Sequence, residues 1–190
     1  MMNAPPTQPF RRRLSRRMAA WCGAAVLLAL PAAAMRVAPN SGVDWSASDF
    51  AVMAAILLGT GLAIEGLFRI SGSVTYRLGA ALAVVTGMLL VWVNLAVGFL
   101  GDEDNPANLM FATVLFVALA GAVLARFSAG GMARAMIAAA ASQVVVGAIG
   151  YVGGYAAPGT KGVYEVVMGT GLFTALWLAA AGLFHRAAPR

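Results

Sequence analysis

The chain has 190 residues, 61% of them hydrophobic and 11% charged, with a formal net charge of +6. Soluble domains carry about 25% charged residues, so this chain cannot clothe a water-facing surface. A single cysteine, Cys22, excludes a disulfide scaffold, and the hydrophobicity excludes a disordered chain. What remains is an all-α, polytopic membrane protein.

A helix crosses the hydrocarbon core in about 20 apolar residues. Six segments have the length: residues 18–35, 50–68, 78–100, 109–125, 135–155 and 166–184. Their apolar runs are continuous and rich in Ala, Leu and Gly, without the alternation of barrel strands. Residues 1–17 read as a disordered basic cytoplasmic tail, and 18–186 as one six-helix transmembrane bundle. The first segment also has the outline of a signal peptide, with Arg11–Arg17 before it and Pro31-Ala-Ala-Ala34 near its end. Its 18 apolar residues exceed the roughly 7–15 of such a peptide, so it is expected to stay. The second segment opens on Ser46-Ala-Ser-Asp49, the pattern of a capping box. Asn105-Pro106 opens the fourth.

Basic residues orient the chain. Arg11, Arg12, Arg13, Arg16, Arg17, Arg69, Arg77, Arg126, Arg134, Arg186 and Arg190 fall on one side of the six-span scheme. Only Arg36 and Lys161 fall on the other, so both termini are expected in the cytoplasm. Six of the seven acids sort to the opposite side; the exception is Glu65. The high positive charge therefore reads as topology. Aromatic residues are not interleaved with the arginines, and no nucleic-acid partner is expected. Tyr76 is expected at the inner interface, and Trp45, Tyr151, Tyr155 and Tyr164 at the outer one. The preference for Arg over Lys, with abundant Ala and Gly, suggests a GC-rich bacterial genome and hence a bacterial inner membrane.

Glu65 is the one ionisable residue inside a span. Intramembrane carboxylates often mark proton or ion paths. Arg69, four residues on, lies on the same helix face, and the plainer expectation is an interfacial ion pair. Asn94 in the third span and Gln143 in the fifth join Glu65 as a candidate polar pathway. The spans also carry Thr60, Thr86, Thr113, Ser142, Thr170 and Thr174. The simpler expectation for such groups is interhelical hydrogen bonding, worth about 0.6 kcal/mol each.

Asp102, Glu103 and Asp104 form an acidic outer loop. Three carboxylates suit a hard cation, but the spacing of a calcium loop is absent. The simpler reading is a tight turn into a helix whose N-terminus favours negative charge. Gly147, Gly150 and Gly154 recur at i, i+3 and i+7 and read as a helix-packing stripe. No nucleotide-binding, metalloprotease or dinucleotide fingerprint occurs. His185 is the one histidine, so neither a histidine metal cluster nor a bis-histidine haem site can form within one chain. No catalytic residue, metal ligand or cofactor site is assigned.

Val91-Trp-Val-Asn-Leu-Ala-Val-Gly98, followed by Gly101-Asp-Glu-Asp-Asn-Pro-Ala-Asn-Leu-Met110, resembles a family of small multi-pass bacterial inner-membrane proteins. The similarity extends through Ala125-Arg-Phe127, Gly131-Met-Ala-Arg134, Asp44-Trp45 and Ser48-Asp-Phe50. It implies a membrane location and no activity. The expected role is that of a structural or accessory membrane component. Its expected partners are the bilayer, a second copy of itself or another membrane protein. A small channel or transporter for an ion or neutral solute is the alternative.

Overall fold

The computed structural model describes residues 8–40 and 42–189, with side chains from residue 17 onward. The described chain is helical: α1 (Gln8–Val37), α2 (Ala47–Ile70), α3 (Val74–Ala96), a 3-10 turn (Pro106–Phe111), α4 (Ala112–Leu124), α5 (Ala129–Val152) and α6 (Gly159–Ala187). Six helical segments among these residues are long and apolar enough to cross a membrane, each with a mean hydropathy of 1.8 to 2.2. The fourth combines the 3-10 turn with α4. Several boundaries differ from the apolar segments. The first helix begins at Gln8, inside the stretch read as a disordered tail. Arg and Leu are good helix formers, and a helix nucleated in the apolar stretch propagates back through them. The last helix begins at Gly159, so the exposed Lys161–Glu165 pair, 3.7 Å apart, is helical rather than loop.

The chain divides into two units, Met1–Leu62 and Ala63–Arg190, and the division falls within α2. In the first unit, Gly61 of α2 sits against the Trp21 ring of α1. A Cβ on Gly61 would lie 2.6 Å from the ring. The start of α2 is capped as its sequence requires. The Ser46 amide donates to the Asp49 carboxylate (2.7 Å), and the Asp49 amide donates to the Ser46 hydroxyl (3.3 Å). Trp45 packs edge-on against Phe50 beside this cap, with ring centroids 5.2 Å apart.

In the second unit, α6 packs against both α3 and α5, and α5 also packs against α4. Neighbouring pairs are antiparallel. Gly79 of α3 faces Ala180, Leu183 and Phe184, and Gly87, two turns on, faces Trp177. Gly121 of α4 faces Ala135, and Gly131 of α5 faces Ala125. The core is built largely of alanines, including Ala80, Ala83, Ala118, Ala139, Ala140, Ala180 and Ala181. Lipid provides little hydrophobic drive between helices, so close van der Waals contact must do the work, and small side chains permit it. Trp177, Phe111, Phe184, Leu90 and Leu100 fill the remaining space.

Two polar locks hold the helix ends. Tyr76, near the start of α3, is 2% exposed. Its hydroxyl donates to the Phe127 carbonyl (2.8 Å), and its ring meets Phe184 edge-on. Phe127 follows Arg126 in a turn where both residues have positive φ. That turn ends α4 by pairing the Phe127 amide with the Ala122 carbonyl and the Arg126 amide with Val123. The bend brings the Phe127 carbonyl to Tyr76, which explains the burial. Arg77 ties the end of α2 to the start of α3. Its guanidinium donates to the carbonyls of Ser71 (2.9 Å) and Phe68 (3.1 Å) and lies over the Phe68 ring.

Candidate functional site

The α5–α6 seam of the second unit carries several polar side chains. Thr170, Thr174 and Trp177 lie at i, i+4 and i+7 on α6, one stripe by helical geometry. Gly147 of α5 sits against Thr170, whose hydroxyl occupies the place a Cβ would take. Because α5 and α6 are antiparallel, that approach sets their register. Gln143, one turn before Gly147, lies level with Thr174, one turn after Thr170. Gln143 is fully buried. Both its amide atoms, the hydroxyls of Thr170 and Thr174, the Trp177 indole nitrogen and the Asn94 carbonyl oxygen are buried without a protein hydrogen-bond partner.

The polar groups of α3 are used differently from the sequence expectation. Thr86 donates to the Leu82 carbonyl and the Asn94 amide to Leu90, both at 2.7 Å. Thr60 of α2 does the same to Ile56 (2.7 Å). These bonds stay within one helix, whereas interhelical bonds were expected. A carbonyl one turn back is always in reach.

The three pathway candidates stand at different places along their helices. Glu65 lies near the C-terminal end of α2, Asn94 two residues before the end of α3, and Gln143 in the middle of α5. Glu65 faces Arg69 at 4.0 Å, with the arginine 77% exposed and the carboxylate 22%. That is the i,i+4 ion pair the spacing suggested. Of the three, only Gln143 belongs to the α5–α6 seam. Trp177 was not among the sequence candidates. Its signal was the Thr-Thr-Trp spacing on the otherwise apolar stretch 166–184 of α6.

The acidic loop is a built turn. Gly98 has φ of +75° and Gly101 of +84°. A Cβ on Gly98 would collide with the Asp102 carbonyl group. Asn108, 7% exposed, holds the loop from inside. Its side-chain oxygen accepts from the amides of Phe99 and Leu100, both at 2.8 Å, and its amide donates to the Asp102 carbonyl (2.6 Å). Asn105 caps the 3-10 turn through the Ala107 amide (3.0 Å) and reaches the Tyr155 carbonyl (3.2 Å). Asp102, Glu103 and Asp104 are exposed. Among the described residues no group of three His, Cys, Asp or Glu side chains is placed to hold a metal ion.

The glycine stripe is shorter than its spacing. Gly147 meets Thr170, and Gly150 meets Leu100. Gly154 does not continue it, because α5 ends at Val152 and Gly154 has φ of +71° with open space where a Cβ would stand. Its amide pairs with the Tyr151 carbonyl and the next amide, of Tyr155, with Gly150. This is the glycine-closed helix end, and the residue serves backbone conformation rather than packing.

The described residues form an all-helical fold with six helical segments long and apolar enough to span a membrane. Comparison with family models, curated proteins and solved structures gives no match to this chain.

Proposed function

We propose that the chain is a bacterial inner-membrane protein with six spans in one bundle and both termini in the cytoplasm. It serves as a structural or accessory membrane component through helix packing. The partner surface belongs to a second copy or to another membrane protein. The arginine distribution supports the orientation. The close approach of Gly147 to Thr170 carries the functional reading. The seam that gathers the buried polar groups is also where two helices touch without room for a methyl group. Helices that close are built to stay together.

The second reading, a small channel or transporter for an ion or neutral solute, draws on the unpartnered atoms of Gln143, Thr170 and Thr174. Buried polar groups without partners are expensive in hydrocarbon, which gives them a reason to meet a passing ion or solute. Flux through proteoliposomes decides between the two. The structural reading expects potassium, proton and glycerol flux equal to that of empty vesicles, for the native chain and for Gln143→Leu alike. Flux above background that disappears in Gln143→Leu, with folding intact, would establish transport instead.

A further inference from the structure

Two grooves run along the outside of α5 near its N-terminal end, and Arg134 lines both. The first, about 340 Å³, lies between α4 and α5 and is walled by Gly121, Leu124, Ala125, Ala135 and Ala138. The second, about 570 Å³, lies between α5 and α6 and is walled by Ala133, Ile137, Leu178, Ala181 and Gly182, with His185 at its end. Neither groove is lined by an acid. Arg134 is exposed, and no hydrogen bond or ion pair ties its side chain to another described residue. By helical rise it stands about 7.5 Å along α5 from its start.

An arginine one to two turns from a helix start can snorkel, its stem along the apolar surface and its guanidinium at the headgroup level, and here no acid of either groove neutralises it. A phosphodiester matches it in charge and in its forked hydrogen-bond geometry. The apolar grooves on either side match hydrocarbon chains. Both features are joined in one class of molecule. We infer that Arg134 and its two flanking grooves form a binding site for an anionic glycerophospholipid, with the headgroup phosphate on the guanidinium and one acyl chain in each groove. His185 also lines the wider groove. Basic sites between spanning helices hold anionic headgroups in this way. The inference needs the helices in a bilayer and does not depend on the accessory or transport reading.

Native mass spectrometry of the full chain tests the site, by titrating phosphatidylglycerol and phosphatidylcholine with identical acyl chains. The native protein should retain phosphatidylglycerol roughly five- to tenfold better. Arg134→Gln should abolish that preference, and Arg134→Lys, which keeps the charge and loses the fork, should keep part of it. Gly182→Leu should weaken retention of both lipids by filling the wider groove. Its new side chain has open space at the Cβ position, so the fold should survive, as unchanged thermal unfolding would show. Equal retention of the two lipids by the native protein would overturn the proposal, as would a preference that survives Arg134→Gln. Displacement of the lipid by glycerol phosphate alone would also overturn it, because that result would mark a simple anion site with no use for the grooves.

Discussion

Asn108 shows how much one side chain can decide in a loop. It makes three hydrogen bonds, accepting two from the amides of residues that are themselves buried and donating one to the Asp102 carbonyl. Replacing it with alanine leaves the Phe99 and Leu100 N–H groups without acceptors. The expected loss is about 3 kcal/mol, read as a lower midpoint in denaturing-detergent titration. Asn108→Asp keeps the acceptor oxygens for both amides but loses the donor to Asp102, and should fall between the two. Tyr76 carries a smaller stake. Tyr76→Phe keeps the edge contact with Phe184 and loses only the bond to the Phe127 carbonyl. It should cost about 1 kcal/mol, and exchange protection of the nearby turn amides should fall with it. The sequence showed Asn108 only as part of a turn and Tyr76 only as an interfacial aromatic. The partners of both are set by where a bend brings a distant carbonyl or amide, and no local pattern records that.

At the scale of helices, glycine and threonine set how near α5 and α6 can come. Gly147→Val puts two methyl groups where the Thr170 side chain already stands. Overpacking of this kind costs about 1–3 kcal/mol, and the loss should be measurable by thermal unfolding in mild detergent. Thr170→Ala in the same chain should recover part of it, since the double change restores room. Gly154→Ala would fail for a different reason, the positive φ of the helix end, and no second-site change on α6 should rescue it. The contrast separates packing glycines from conformational ones. Spacing on a helical wheel could not separate them, because it presumes that the helix continues. Here α5 stops two residues before Gly154. The capping box at Ser46–Asp49 and the Glu65–Arg69 pair were legible in advance. Both are interactions between residues three or four apart, and local geometry suffices for them.

For the whole molecule, the arrangement of basic residues yields a direct test. In a Cys22→Ser background, single cysteines at Ser73→Cys, Ser128→Cys and Ala188→Cys should react with a membrane-impermeant thiol reagent only after the cytoplasmic face is opened. Glu103→Cys should react in intact cells. Reaction at position 128 from outside would break the alternation and with it the six-span orientation.

Composition and the lengths of the apolar runs determined the all-helical class and the number of helices long enough to span. The reason is that hydrocarbon admits few backbone solutions, and a continuous run of about 20 apolar residues selects the helix among them. Which faces those helices turn to each other was decided only in three dimensions. Ala, Gly and Leu suit a lipid-facing surface and a helix interface equally well, so a chain made of them carries little pattern to tell one from the other. The structure settled it through contacts between residues far apart in sequence: Gly147 with Thr170, Tyr76 with Phe127, and Gly121 with Ala135. The same is true of Arg134. In the sequence it counts as one more inner-side charge, and only the packing of α4, α5 and α6 puts a groove on either side of it.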